Sequence, residues 1–329
     1  SHLPYYWGKA ANEKAVTELR SRKQRSLKAF ALMADNLQTI EKHCSLDLLQ
    51  RELLNSLAHP IVILDRNETS TIAKNVAPNQ KTLGFMLPYT PLHYLLLEPE
   101  TGFPNTLVMT SGNFSEEPIA YRDVEASEQL NDIADAFLLN DREIHIRVDD
   151  SVVREIHNNA YPLRRSRGYA PAPIRSDHEL VPILAVGAEL KSTIALSRDK
   201  YVFLSHYIGD LENFETYRSF EEAIEHNQKL FRIYPESIVC DQHPDYYSTK
   251  YAKKRACSQN VPLFEIQHHH AHLAACLADN QRFSNAEPVI GLSFDGTGLG
   301  TDGAIWGGEF LVGNFKGYSR PYHLKCVPL

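Results

Sequence analysis

QHHHAHLAACLADN, residues 267–280, is the stretch around which the rest of the chain is read. It follows a short apolar run at 261–266 that predicts a buried strand, and it opens a helix whose apolar positions are Leu273, Ala274, Cys276 and Leu277. On a helix His268 and His272 stand one turn apart on the same face. Two imidazoles at that spacing can chelate one divalent ion. A third donor follows the next apolar run, 289–294: Asp295 opens DGTGLGTDG. A carboxylate at a strand end beside a His-x-x-x-His helix makes a mixed nitrogen and oxygen site, suited to iron or zinc. An isolated histidine pair more often caps a helix or fills an aromatic pocket. Four histidines within five residues, beside a glycine-rich acidic turn, move the reading to metal.

With 329 residues the chain has room for two domains, each with its own core. Apolar residues make up 43% and charged ones 23%, the proportions of a soluble globular protein. The net charge of -7 argues against a general surface for DNA or other polyanions. Cys44, Cys240, Cys257, Cys276 and Cys326 are scattered without a C-x-x-C pair, which predicts free thiols in a reducing compartment. No run approaches a membrane span and no apolar signal core opens the sequence, so the expected location is cytoplasmic, with no membrane partner.

In the first half Arg20, Arg22, Lys23, Arg25 and Lys28 crowd together just before an apolar strand at 30–33. Such clusters are often solvated faces. Here the charges converge on a sheet edge, where a phosphate would be held. HPIVILD (59–65), TLGFML (82–87) and residues 106–110 read as strands, and PYTPLHYLLLE starts a helix that accepts Pro91 in its first turn. The last of these strands ends in Thr110, Ser111, Asn113 and Ser115, a glycine-containing turn able to bind a phosphate or a ribose. A helix at 124–134 and a strand at 136–139 are expected next, then a hairpin around Asn158-Asn159 that gathers Arg154, Arg164, Arg165 and Arg167. Two basic groups bracketing a Ser/Asn turn fit a nucleoside triphosphate. The proline-containing YAPAPIRSDHE places a domain boundary at 175/176.

The second half predicts three antiparallel strands within 182–210, from ILAVGAEL, STIALSR and KYVFLSHYIGD. Gly187 and Lys191-Ser192-Thr193 make the first hairpin a candidate phosphate-facing turn. A helix at 212–232, a strand at 237–240, the loop DQHPDYYST, a helix at 250–257 and a strand at 263–267 lead into the histidine helix. That order is RNase H-like. Strands at 289–295 and 304–310 begin a second half of the same kind. The Asp-Gly-Thr-Gly turn between them makes Gly296, Thr297 and Gly298 candidate nucleotide contacts, because glycine lets backbone approach a phosphate. The alternative is a tight hairpin turn.

KQRSLKAFALMA, LGFMLPYTPLH, LVMTSGNFSEEPI, VDDSVVR, LRRSRGYAPAPI, GAELKSTIAL, IGDLEN, HPDYYST, QHHHAHLAACL and FDGTGLGTDGAIWGGEF run in this order over residues 12–329. Together they resemble the HypF family of hydrogenase maturation carbamoyltransferases. The resemblance implies an α/β (α+β) chain: a YrdC-like twisted-sheet nucleotide-binding domain over 1–175, its N-terminal strands incomplete, then a partial RNase H-like domain of the sugar kinase/Hsp70/actin type over 176–329. It implies ATP-dependent carbamoyl transfer in assembly of the [NiFe] hydrogenase cluster. Carbamoyl phosphate is cleaved to carbamate, carbamate reacts with ATP to give carbamoyl adenylate and pyrophosphate, and the carbamoyl group passes to the C-terminal cysteine of the partner HypE.

By similarity, Lys23, Arg25 and Lys28 are the catalytic cations, offsetting charge on the departing pyrophosphate. Thr110, Ser111, Asn113, Ser151, Arg154 and Arg165 line the nucleotide, and His268, His272 and Asp295 match the metal ligands. The implied cofactors are ATP, Mg2+ and one iron or zinc ion. The acylphosphatase-like and zinc-finger segments that open the family are absent from this sequence, as is the second half of the transferase domain with a fourth, acidic ligand. The expectation is a fragment lacking the carbamoyl phosphate hydrolysis step. Two alternatives stay open: a threonylcarbamoyl-adenylate synthase and tRNA-modifying fusion, and a catalytically silent module that docks a maturation partner.

Overall fold

Strands rich in Leu, Val, Met and Phe carry the first half, and most of their residues are covered on both sides of a sheet. The structure, a computed structural model, describes residues 5–98, 104–114, 119–139, 141–283 and 287–325, apart from the side chains of 5–9 and 297. Ser115 and Cys326 lie outside the described residues. The chain divides into two compact units, Ser1–Pro171 and Ala172–Leu329. The boundary expected at 175/176 thus falls inside the second unit, because Ile174 and Arg175 already pair with Val202 and Tyr201.

In chain order the first unit holds β1 (Tyr5–Lys9), α1 (Glu13–Arg22), β2 (Ala31–Ala34), α2 (Leu37–Glu41), α3 (Leu48–Asn55) and β3 (Ile61–Asp65). Next come β4 (Thr82–Met86), α4 (Pro91–Leu96), β5 (Thr106–Ser111), α5 (Asp123–Gln129), β6 (Val152–Ile156) and β7 (Asn159–Arg164). The strands form one mixed sheet in the order β1-β5-β2-β4-β3-β6-β7. Period-two alternation sends Leu32, Val62, Phe85, Val108 and Val153 to one face, against Val16, Ile40 and Leu54 of the helices. Met33, Met86, Leu107 and Met109 go to the other face. Asn12 caps α1 by accepting from the Ala15 N–H at 3.1 Å, and Asp47 with Gln50 forms a capping box on α3. The strand expected at 136–139 does not form. Phe137, Leu138 and Leu139 are 38%, 64% and 55% exposed and join no ladder, and the helix before them stops at Gln129.

The second unit holds β8 (Ile174–Ala185), β9 (Ala195–Leu204), α6 (Phe214–Phe231), β10 (Ser237–Asp241) and α7 (Tyr247–Gln259). It continues with β11 (Leu263–Ile266), α8 (His268–Asp279), β12 (Val289–Leu299), β13 (Ile305–Asn314) and β14 (Gly317–His323). One sheet runs β11-β10-β8-β9 and the other β12-β13-β14. Two antiparallel strands, not three, precede α6. ALSR, the end of STIALSR, and KYVFL make one strand, β9, whose charged middle at Arg198-Asp199-Lys200 is absorbed as an irregularity of the β8/β9 ladder. DGTG is not a turn either. β12 continues through it to Leu299, and a register shift between Phe294 and Gly298 leaves 295–297 as a bulge facing Gly307. The chain reverses later, at 300–304, where Asp302 Oδ1 accepts from Ala304 N and Trp306 Nε1, both at 3.0 Å. Leu273 and Leu277 of α8 pack on Leu311, with Val289 and Tyr318 at the edge of that cluster. Among the described residues no helix is long and apolar enough to cross a membrane.

Candidate active site

Lys23 ends α1, and its side chain is buried. Nζ donates to the carbonyls of Ser111 at 2.7 Å and Asn113 at 2.5 Å, which ties the helix end to the end of β5. Burial, with Arg25 and Lys28 close by, pushes the Lys23 ammonium down to about 7. Arg25 donates to Thr110 Oγ1 at 3.3 Å and to the Lys28 carbonyl at 2.9 Å, while Ser111 Oγ donates to Asn113 Oδ1 at 2.7 Å. The structure therefore gathers Lys23, Arg25, Thr110, Ser111 and Asn113 into one corner, with Lys28 exposed beside it. The other two cations of the cluster hold structure together. Arg20 donates to the carbonyls of Asn75, Arg25, Ser26 and Lys28, and Arg22 pairs with Glu18 and Asp135.

Ser151, Arg154 and Arg165 are placed elsewhere. β6 stands four strand spacings from β5, about 19 Å along the sheet. The buried Ser151 Oγ donates to the Arg167 carbonyl at 2.9 Å and accepts from Ser166 N at 2.7 Å. Arg154 lies exposed on β6, and the half-buried Arg165 donates to the Tyr169 carbonyl at 2.9 Å.

In the second unit β10 and β11 run parallel, with Asp241 facing Ile266, so both strand ends open on one edge. α8 starts there, and Gln267 caps it by accepting from His270 N at 2.8 Å. His268 Nε2 lies 2.6 Å from Asp295 Oδ2 and 3.2 Å from His272 Nε2, which is 3.3 Å from the same Asp295 oxygen. These ligand atoms all lie within 4.8 Å of one another. On the far side of the ring, His268 Nδ1 is 2.6 Å from Oδ2 of the buried Asp241. That hydrogen bond outweighs burial and raises the His268 pKa.

If Nδ1–H donates to Asp241, a neutral His268 ring presents the Nε2 lone pair to a carboxylate oxygen. Two lone pairs at 2.6 Å repel, so a proton or a cation belongs between them. Two imidazole nitrogens and one carboxylate oxygen converging on a point, backed by a carboxylate on the distal ring nitrogen, suit iron or zinc. The residues present fit such an ion.

Asp241 and His269 carry much of this arrangement, and motif spacing does not point to either. A signal for Asp241 was present: two short apolar strands joined by a helix run parallel, which sets the residue ending the first beside the start of α8. A Cβ on Gly298 would fall 2.2 Å from His269 Cε1, whereas one on Gly296 meets nothing within 4 Å. The Thr297 side chain lies outside those described. Gly298→Ala is expected to lower stability by about 1–3 kcal/mol through overpacking, and Gly296→Ala by less than about 0.5 kcal/mol. Urea unfolding of both variants checks this, and equal losses would refute it.

Three family profiles match successive parts of the chain. They are described as telomere recombination (the Sua5/YciO/YrdC type) over 5–166, HypF Kae1-like domain over 178–279, and carbamoyltransferase, Kae1-like domain, second subdomain, over 291–329. The curated carbamoyltransferase HypF2 of Cupriavidus necator is 42% identical over 335 residues, covering 97% of this chain and 41% of that protein. Carbamoyltransferase HypF of Synechocystis is 41% identical over 317 residues, covering 96% and 40%. The solved structure of full-length HypF in its phosphate- and nucleotide-bound form gives a TM-score of 0.89 at 44% identity, over 96% of this chain and 49% of that one. The chain belongs to the HypF family. Its HypF fold is mixed α/β, a YrdC-like unit followed by a Kae1-like unit. T. kodakarensis HypF, at 38% identity, gives a TM-score of 0.90 over 98% of this chain and 41% of that one. The chain spans about 40% of the length of the two curated HypF relatives. His268 and His272 fall in the HypF Kae1-like match, and Asp295 in the second-subdomain match.

Proposed function

We propose that the chain carries carbamoyl-transfer machinery of [NiFe] hydrogenase maturation, dependent on ATP and Mg2+. The observation that carries this reading is the convergence of His268 Nε2, His272 Nε2 and Asp295 Oδ2 in a chain about 40% identical to carbamoyltransferases named HypF. In this reading residues 1–175 form carbamoyl adenylate from carbamate and ATP, and residues 176–329 pass the carbamoyl group on. The corner of Lys23, Arg25, Thr110, Ser111 and Asn113 takes the phosphates, with Lys28 at its open side, and Ser151, Arg154 and Arg165 meet the far end of the nucleotide. Support comes from the phosphate- and nucleotide-bound state of the solved HypF relative. Gly296, Thr297 and Gly298 stand as nucleotide contacts of the second domain. His268, His272 and Asp295 hold the divalent ion, which when bound supplies Lewis acidity toward a phosphate or carbonyl oxygen. The acceptor is the C-terminal cysteine of HypE, and carbamoyl phosphate is the upstream donor.

Carbamate is a poor electrophile, and joining it to AMP supplies a leaving group that cations can neutralise. The test is exchange of labelled pyrophosphate into ATP by the purified chain, with ammonium bicarbonate as the carbamate source. Exchange is expected, reduced about 100-fold by Lys28→Ala. Exchange that is unaffected by Lys28→Ala refutes the assignment. Exchange that requires threonine gives the reaction to threonylcarbamoyl adenylation instead.

A further inference from the structure

The four histidines of α8 divide into two kinds. His268 and His272 point at Asp295 Oδ2, whereas His269 is fully buried and His270 donates Nε2–H to the carbonyl of Asn314 at 2.8 Å, its ring tilted against Tyr318. We infer that His269 is a positioning residue that sets the bulge bearing Asp295, through a chain of hydrogen bonds beginning at the helix cap. The inference rests on the reading of His268, His272 and Asp295 as metal ligands.

The bulge breaks the β12/β13 register at Asp295, and a side chain of α8 reaches the Asp295 carbonyl from outside the ladder. His269 Nε2 lies 3.2 Å from that carbonyl. Which His269 nitrogen carries the proton is decided by Gln267. Its Oε1 accepts from His270 N as the cap, so the amide nitrogen must face the other way. Gln267 Nε2 then donates to the Leu299 carbonyl at 3.2 Å and to His269 Nδ1 at 3.0 Å. His269 Nδ1 is thereby an acceptor, and Nε2–H donates to Asp295. Gln242 Nε2 donates to the same Leu299 carbonyl at 2.6 Å, so the strand just past the bulge is held as well. The His269 ring also occupies the space where Gly298 would carry a Cβ. Asp295 Oδ2 meets the two ligand imidazoles because its backbone is fixed in this way.

The test is Co(II) titration of the purified chain, followed by d–d absorption, for four proteins that each pass a circular dichroism check of folding. His269→Gln places an amide nitrogen near the imidazole Nε2 position, whereas His269→Asn falls one methylene short. His270→Gln perturbs the same helix and sheet without touching the bulge. Expected are a 10–100-fold loss of Co(II) affinity in His269→Asn, with wild type, His269→Gln and His270→Gln alike within about threefold. Wild-type affinity in His269→Asn overturns the inference, as does an equal loss in His270→Gln, which would mean general docking of the sheet on the helix. A wild-type chain that binds no Co(II) overturns the metal reading itself, and this inference with it.

Discussion

His268→Ala is expected to cost the chain at least about 100-fold in Fe(II) or Zn(II) affinity, more than the loss usual for an outer partner of a ligand. The reason is its place. One ring touches Asp295 and His272 through Nε2 and Asp241 through Nδ1, so its removal takes a donor and releases the group that aims it. Asp241→Asn keeps an acceptor but not the charge, and about a tenfold loss is expected, near the lower limit for such partners. Metal content after dialysis, and competition against a chelator, measure both. The competing picture is an imidazolium held between two carboxylates with no ion. There His268 would act through its raised pKa, adding stability that is present below its unfolded value near 6.5 and lost as pH rises through the folded value. Wild-type metal content in His268→Ala, together with such a pH-dependent stability loss, would establish that picture instead.

The second large effect concerns Lys23. Its pKa falls from 10.5 unfolded to about 7 folded, driven first by burial and then by Arg25 and Lys28. Between those values the unfolded chain binds more protons than the folded one, so stability rises with pH across about 7 to 10.5 and is lost as pH falls toward 7. The slope contributed by Lys23 reaches at most about 1.4 kcal/mol per pH unit. Lys23→Met cannot titrate and leaves the carbonyls of Ser111 and Asn113 without this donor, at a cost of about 1–3 kcal/mol. Urea unfolding at pH 7, 8.5 and 10 should show the wild type gaining on the variant by a few kcal/mol over that range. Parallel curves would mean that the ammonium stays charged, held by its carbonyl acceptors.

Periodicity carried much of the second unit. Four-residue spacing places His268 and His272 on one face, and α8 begins at His268. Apolar runs at 82–87 and 106–110 match β4 and β5 to within one residue because strands covered on both faces need no polar alternation. The failures have a common cause, which is contact with distant residues. DGTG has the composition of a hairpin turn, but His269 beneath Gly298 holds it within a strand. Arg198-Asp199-Lys200 looks like a break, but β8 is long enough to pair on both sides of it. Among the cations near residue 23 nothing local distinguishes Lys23. Its burial is set by carbonyls 88 and 90 residues further on. For Ser151 the residue type alone does not show that its hydroxyl links the Arg167 carbonyl to Ser166 N, partners 16 and 15 residues further on.

The strand order of the first unit has a consequence for synthesis. β1 pairs with β5, Tyr5 against Ser111, and β3 pairs with β6, Ile61 against Val152. An edge strand made early therefore waits for a partner made about a hundred residues later, on the order of ten seconds at usual elongation rates. Until then its backbone donors and acceptors meet only water or other chains. Nascent first units should accordingly be the most chaperone-dependent species in the life of this polypeptide, and the fully translated unit should fold slowly for its size.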